Sequence, residues 1–220
     1  MSALKRKPGR GRFIVLEGLD GAGTTTQAER LATALRAEGH SVLTTREPSD
    51  GPIGTLIRQA LTVRLVLPGG AGPLASETLA LLYAADRTDH LKARVLPALE
   101  AGQIVISDRY VLSSLAYQGA SLSMAWVEAA NGYAVSPDLT LFVHVSPAVA
   151  AKRRAARGGA AELFEEDALQ RRIARQYEEA IRRRESQEKI VRVDGEQSVE
   201  AVTDAALAEI QSVLGRKRAR

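Results

Sequence analysis

A glycine-rich segment near the start of the chain carries residues suited to binding phosphate. Residues 13–27 read FIVLEGLDGAGTTTQ, an apolar run that meets a glycine-rich turn before a helical pattern begins at Thr24. This is the setting of the phosphate-binding pattern G-x-x-x-x-G-K-[ST], in which Gly18 and Gly23 fill the glycine positions and Thr25 the hydroxyl position. Loop N–H groups and the positive end of the helix would surround phosphate oxygens, with the Thr25 hydroxyl available to Mg²⁺. Thr24 stands where the pattern has lysine, so other residues must supply that positive charge.

The chain around this loop alternates between strand and helix patterns. Short segments rich in Val, Ile, Leu or Thr predict strands at about 12–17, 41–45, 103–107, 139–145 and 189–193. Helical patterns occur at about 24–38, 53–62, 76–99, 110–117, 123–134, 147–157, 165–184 and 198–213. Together with the loop, this alternation predicts an α/β protein with the three-layer P-loop NTPase fold, a five-stranded parallel sheet flanked by helices. Glycine-rich turns are common in α/β proteins, so the other residues must decide the function.

Charged residues follow several of the predicted strands. Arg46-Glu47-Pro48 comes after the second strand and Asp108-Arg109-Tyr110 after the third. After the fourth come Ser146-Pro147 and a helix that bears four basic residues: Lys152, Arg153, Arg154 and Arg157. Ligands of open parallel sheets bind at the carboxyl ends of the strands. The sequence therefore predicts a cluster of guanidinium and carboxylate groups at one edge of the sheet.

The overall composition is that of an ordinary globular chain. The 220 residues are 45% hydrophobic and 25% charged, which favours one soluble domain. No apolar run is long enough to span a membrane, and the basic N-terminus lacks the apolar segment of a secretory signal. The lack of cysteine excludes disulfides and thiolate metal sites, so we expect a cytoplasmic protein without membrane contact. The three histidines lie far apart in sequence and are expected to be structural or surface residues: His40, His90 and His144.

The basic excess lies at the two ends of the chain. Residues 1–12 carry five basic residues and residues 216–220 carry four, without any acidic residue in either segment. Setting those nine aside leaves 21 basic against 26 acidic residues. We predict basic tails at 1–11 and 215–220 around a single domain at 12–214. The tails could contact nucleic acid, but flexible solubilising ends are the favoured interpretation, because the chain shows no basic stripe interleaved with aromatic residues.

The order of these motifs resembles the thymidylate kinase family, P-loop enzymes that phosphorylate dTMP to dTDP with Mg·ATP. The matching segments are EGLDGAG at 17–23, TREP at 45–48, LLYAADR at 81–87, DRY at 108–110, AYQG at 116–119 and SPDLTL at 136–141. The resemblance covers nearly the whole chain between the tails. It implies a nucleoside monophosphate kinase domain with a lid at about 150–166, ATP and Mg²⁺ as cofactors, dTMP as substrate and a homodimer.

The resemblance also implies which residues bind ATP and the metal. The loop would hold ATP through Gly18, Asp20, Gly21, Ala22, Gly23, Thr24, Thr25 and Thr26. Asp20 would contact the sugar 3′-hydroxyl and lie near Mg²⁺, and Asp108 would order Arg109 or metal-bound water. The predicted metal-site residues are therefore Thr25, Asp20 and Asp108, while Glu47 is expected to be a structural partner of its loop.

For dTMP, the resemblance assigns Arg46 and Arg109 to the phosphate, which the planar guanidinium group binds bidentately. Tyr83 and Arg87 are four residues apart on a predicted helix and share a face. The resemblance implies that Tyr83, where the family usually has Phe, stacks on thymine and that Arg87 bonds a thymine carbonyl; a core tyrosine is the alternative. The remaining residues expected to line the base and deoxyribose are Ser114, Tyr117 and Gln118. The Tyr117 ring against C2′ would disfavour ribose.

The basic helix before Gly158-Gly159 corresponds to the lid of the family. In one subgroup the loop carries an arginine, and in the other the lid supplies it; Gly21 at the loop position implies the lid-arginine type. We predict that Arg153 or Arg157 replaces the missing lysine, although a charged helix is more often a solvated face. The predicted catalytic residues are Asp20, Arg109, Arg153 and Arg157.

One further departure concerns Ser49-Asp50, which replaces the frequent Gly-Gly after Arg-Glu-Pro. The Asp50 carboxylate either weakens dTMP binding or points away from the phosphate. An active dTMP kinase is the leading interpretation. The alternatives are a kinase for another nucleoside monophosphate and a nucleotide-binding protein that has lost catalysis with its lysine. A GTPase switch is disfavoured, because no Asn-Lys-x-Asp segment occurs.

Overall fold

The computed structural model describes residues 11–70, 72–157 and 167–215, without the side chains of Arg157 and Asp167. Most of both predicted tails and residues 158–166 of the predicted lid lie outside the described residues. The described strands are β1 Phe13–Glu17, β2 Val42–Arg46, β3 Ile104–Asp108, β4 Leu139–His144 and β5 Ile190–Asp194. The described α-helices are α1 Thr24–Ala37, α2 Pro52–Leu61, α3 Ser76–His90, α4 Leu96–Glu100, α5 Val111–Tyr117, α6 Met124–Ala130, α7 Pro147–Arg157, α8 Asp167–Arg184 and α9 Val199–Leu214.

The five described strands form one parallel sheet in the order β2-β3-β1-β4-β5. Asp108 at the end of β3 lies opposite Leu16 of β1 on one side and Arg46 of β2 on the other. The loops that follow these three strands therefore begin side by side at one edge of the sheet. This confirms the predicted fold class, and it places the phosphate-binding loop next to the segment that starts at Asp108.

The central strands are buried on both faces, as their unbroken apolar runs predict. Every residue of β1 and β3 is buried, including the charged residues Glu17 and Asp108 at their ends. Leu31 and Leu35 of α1 are completely buried in the same core. Helix α5 packs against α8, which lets residues from these two helices meet beneath the phosphate-binding loop.

The predicted helix 76–99 is interrupted by a π-helical segment at Leu91–Val95, which separates α3 from α4. The backbone N–H of Leu96 donates to the carbonyl of Leu91, five residues earlier. Pro97 explains this departure, because proline has no N–H and its ring crowds the carbonyl four residues before it. A wider turn relieves that conflict without ending the helical path.

The predicted helix ends agree with the structure. Gly39 and Gly102 take left-handed backbone angles, with φ of 86° and 78°. The Ser198 hydroxyl accepts a hydrogen bond from the N–H of Ala201 and caps α9. These capping residues determine where their helices begin or end, and therefore where the adjoining loops lie. Within the described residues, the helices are all too short or too polar to span a membrane.

Candidate active site

The phosphate-binding loop is a tight turn between β1 and α1. Gly21 has φ of 92°, and a Cβ atom built on it would lie 2.6 Å from the carbonyl oxygen of Ala150 in α7. This backbone position thus excludes any side chain, including the arginine of the other subgroup. Thr24, in the lysine position, is buried as the first residue of α1. The loop therefore offers phosphate its N–H groups without a cationic side chain of its own.

Thr25 and Asp108 bring together two oxygen groups of the kind that Mg²⁺ prefers. The Thr25 hydroxyl donates to Oδ2 of Asp108 over 2.5 Å. The other carboxylate oxygen of Asp108 is buried and has no hydrogen-bond partner among the described residues. Within that part of the chain, no group of three or more His, Cys, Asp or Glu side chains could hold a metal. The pair fits a Mg²⁺ ion that takes its remaining ligands from phosphate and water.

Arg109 connects the loop after β3 to the phosphate-binding loop. Its φ of 75° is unusual for a residue with a side chain, and such positions cluster at functional sites. Its Nη2 donates to Oδ1 of Asp20 over 2.5 Å, and its Nη1 donates to the carbonyl of Gly18 over 2.9 Å. The guanidinium also lies 5.2 Å from the centre of the Tyr117 ring. These contacts hold the positive charge directly beside the loop.

A buried carboxylate, Glu17, lies below Arg109. One oxygen of Glu17 accepts the N–H groups of Tyr110 and Ser113, and the other accepts the Ser113 hydroxyl over 2.5 Å and the Tyr177 hydroxyl over 3.2 Å. Burial raises the pKa of Glu17 above its usual range, against the Ser113 hydrogen bond and the charge of Arg109, which lower it. Burial likewise raises the pKa of Tyr177, so its hydroxyl stays protonated.

One cavity brings together most of the residues predicted to bind dTMP. It is lined by Asp20, Tyr83, Arg87, Arg109, Ser114, Tyr117 and Gln118, among others. Asp20 and Arg109 lie on its loop side, and Tyr83 and Arg87 come from α3. The Tyr117 hydroxyl accepts a hydrogen bond from the backbone N–H of Asp20. An aromatic wall and a phosphate-binding edge thus face the same space.

Arg87 is held rigidly at the bottom of this cavity. It is 2% exposed, pairs with Glu47 at 2.6 Å, and donates to the Ser114 hydroxyl, the Asn131 side chain and the carbonyl of Tyr110. Glu47 also contacts the buried His90. Glu47 and His90 are thus buried in the network around Arg87, which has its position fixed from several sides.

Arg46 lies outside the lining of this cavity. Its Nη2 pairs with Oδ1 of Asp50 at 2.9 Å, and both side chains are exposed. This hydrogen bond lowers the pKa of Asp50, although the group is mostly in solvent. The Asp50 carboxylate therefore binds the arginine that was predicted to hold a phosphate.

Two arginines of α7 reach the phosphate-binding loop. Arg153 donates to the carbonyls of Ala22 and Gly195, over 3.4 Å and 2.9 Å. Arg154 is buried and donates to the carbonyl of Asp20 over 3.0 Å. The side chain of Arg157, the other predicted stand-in for lysine, lies outside the described residues.

Known proteins are similar to this sequence over most of its length. The family model described as thymidylate kinase matches residues 16–206. A probable thymidylate kinase of Pyrococcus abyssi is 43% identical over 169 residues, which cover 76% of this chain and 82% of that protein. A thymidylate kinase of Thermomicrobium roseum is 42% identical over 213 residues, which cover 94% of this chain and 97% of that protein. The chain belongs to the thymidylate kinase family.

Against this family background, three residues of the site stand out because the sequence patterns did not reveal them. Glu17 could have been noticed as a carboxylate that ends an otherwise apolar strand. Tyr177 follows the helical period of α8 like any core aromatic residue, so its contact with Arg109 was not predictable. Arg154 was one of four basic residues predicted on the same helix, and only its burial in the folded chain distinguishes it from the others.

Proposed function

We propose that this member of the thymidylate kinase family transfers the γ-phosphoryl group of ATP to dTMP, which yields ADP and dTDP. The observation that carries the proposal is the cavity in which Tyr83 and Arg87 face the Asp20–Arg109 pair. A nucleoside monophosphate that stacks on Tyr83 would direct its phosphate toward the loop. Phosphoryl transfer mainly requires alignment and positive charge, and no strong general base is needed because the acceptor is already an ionised phosphate.

The polar groups that line the cavity favour a pyrimidine base that carries an N–H donor next to its carbonyl groups. Arg87 Nε and Gln118 Oε1 are buried and have no hydrogen-bond partner among the described residues. One is a donor and the other an acceptor, and thymine presents both carbonyl oxygens and an N–H group. Ser114 acts in this proposal mainly by holding Arg87. Tyr117 lines the same cavity and is proposed to contact the sugar, where its ring would exclude a 2′-hydroxyl.

ATP is proposed to bind along the phosphate-binding loop, with Mg²⁺ held by Thr25 and Asp108. The ion, when bound, would neutralise negative charge on the phosphates. Asp20 keeps Arg109 beside the loop, and Arg109 supplies charge between the two nucleotides. Although Arg109 is paired with Asp20, it can also contact the acceptor phosphate, because it lines the cavity where that phosphate would lie.

Arg153 is our proposed substitute for the missing lysine. It comes from α7 and already contacts the loop carbonyl of Ala22. A guanidinium at this place can turn from a carbonyl toward a phosphate, which is the stronger acceptor. Arg154 is proposed to anchor α7 through Asp20, since its own side chain is buried against the loop.

The activity is tested by incubating the protein with Mg·ATP and dTMP, dUMP, dCMP, AMP or dGMP and separating the products by chromatography. We expect dTDP to form fastest. A preference for a purine would end the substrate assignment. Tight binding of dTMP and ATP without dTDP would instead favour the alternative of a nucleotide-binding protein that lost catalysis with its lysine.

The remaining assignments are proposals that rest on family membership. They are a single kinase domain at 12–214 with a lid at about 150–166, and a homodimer. The basic tails stay a prediction, with contact to nucleic acid as the minor alternative. A comparison of retention on nucleic acid at increasing salt, for the full chain and a chain without the tails, tests that alternative.

A further inference from the structure

Glu17 is completely buried beside the phosphate-binding loop and does not line the cavity. We propose that Glu17 is a positioning residue that orients Arg109 through the hydroxyl groups of Ser113 and Tyr177. We call these four residues the Glu17 relay. The inference rests on the proposed function, and it assigns a role in that reaction to Glu17 and Tyr177, which do not line the cavity.

The geometry places both hydroxyls between the same two charged atoms. Glu17 Oε2 accepts from Ser113 Oγ over 2.5 Å and from the Tyr177 hydroxyl over 3.2 Å. Arg109 Nη1 donates to those same two oxygens, over 3.2 Å and 3.3 Å. Each hydroxyl thus donates its proton to the carboxylate and accepts from the guanidinium.

The Arg109 guanidinium explains why the hydroxyls point this way. It can only donate hydrogen bonds, so both hydroxyl oxygens accept from it and turn their O–H groups toward Glu17 Oε2. The Tyr177 hydroxyl also lies 3.0 Å from the carbonyl of Gly18 and 2.9 Å from Ser113 Oγ.

The relay is rigid at its buried end. Glu17 Oε1 accepts two backbone N–H groups at the start of α5, from Tyr110 over 2.9 Å and from Ser113 over 3.1 Å. The Tyr177 ring packs edge-on against Tyr117, which lines the cavity. The relay therefore connects β1, α5 and α8 to the Arg109 guanidinium, which also binds Asp20. A small loss of this support would misplace the charge that Arg109 offers to the moving phosphoryl group.

The test is Tyr177→Phe, which removes one hydroxyl and keeps the ring. We expect kcat for dTMP to fall about tenfold, while KM for ATP changes less than twofold, because a positioning residue acts on the transition state. The matched control is Tyr133→Phe, since Tyr133 is 76% exposed. Thermal unfolding of both variants checks the fold. Glu17→Gln, which keeps the shape and can place an NH₂ donor where Oε2 accepts both hydroxyls, is expected to lower kcat in the same way.

The decisive measurement repeats Tyr177→Phe in an Arg109→Met background under single-turnover conditions. The relay predicts no further loss there, because Tyr177 acts only through Arg109. An equal loss in both backgrounds would show that Tyr177 has a merely structural role and would overturn the relay. An active wild type with an equally active Tyr177→Phe variant would also overturn it. A wild type that forms no dTDP would overturn the proposed function and the relay together.

Discussion

The guanidinium of Arg46 is paired with the Asp50 carboxylate, which lies 2.9 Å away and four residues further along the chain. Both groups are more than half exposed, so the pair is held weakly. A phosphate that reached Arg46 would have to displace this internal anion. Asp50 would thus compete with the acceptor substrate for an arginine that the sequence predicted to hold its phosphate.

We therefore expect Asp50→Asn to lower the KM for dTMP about two- to fivefold at low salt, with little change in kcat. Steady-state kinetics at two salt concentrations measures this. The control is Asp204→Asn, which removes an exposed carboxylate of α9. An unchanged KM for the Asp50 variant would mean that Arg46 does not contribute to phosphate binding, or that the Asp50 carboxylate leaves Arg46 without a cost in free energy.

Replacement of the missing lysine offers a second test. Arg153→Ala should lower kcat by about 10², the typical cost of losing one group that stabilises charge in a transition state. In a Thr24→Lys background the same change should cost markedly less, because the loop then has its own cation. Lys152→Ala is the matched control, since Lys152 is the exposed neighbour of Arg153 on α7. Full activity of Arg153→Ala would transfer the role to another arginine.

The buried pair of Arg87 and Glu47 makes a prediction about stability. Arg87→Met would leave the Glu47 carboxylate buried at 5% exposure without its arginine partner. We expect a loss of about 3–5 kcal/mol in the free energy of unfolding, measured by urea denaturation. Arg182→Met breaks an exposed pair with Glu179 and should leave the unfolding midpoint unchanged. Similar midpoints for both variants would contradict this account of Arg87.

The pKa of Glu17 gives a prediction about pH. Because burial raises this pKa in the folded protein, the stability associated with the neutral carboxyl is complete below the unfolded value of about 4.5 and is lost as pH rises through the folded value. Glu17→Gln stays neutral at every pH. The unfolding free energy of this variant should therefore improve relative to wild type as pH rises from 4 to 7, measured by denaturant titration.

Glu178→Gln is the control with the opposite sign. The Arg192 hydrogen bond lowers the pKa of Glu178, so its contribution is present above about 4.5 and is lost as pH falls through the folded value. The unfolding free energy of the Glu178 variant should thus decrease relative to wild type as pH rises, whereas that of the Glu17 variant should increase. If both differences moved in the same direction, the buried carboxyl of Glu17 would not have a raised pKa.

The sequence predicts the fold and the loop edge of the site because both depend on local patterns. Strand–helix alternation and capping residues such as Gly39 and Ser198 are visible within a few residues. The contacts of Arg109 with Tyr177 and of Arg153 with Gly195 join residues 68 and 42 positions apart. Such contacts depend on how helices pack on the sheet, which no short pattern encodes. The pairing of Arg46 with Asp50 was equally undetermined, because a carboxylate at that position has two possible directions.

The carbonyl of Ala150 above Gly21 limits how this enzyme could change during evolution. A family member with its arginine in the loop cannot arise from this chain by one substitution at Gly21, because the backbone of α7 fills the space of the first side-chain atom. The helix would have to shift first, which would withdraw Arg153 and Arg154 before the new cation was in place.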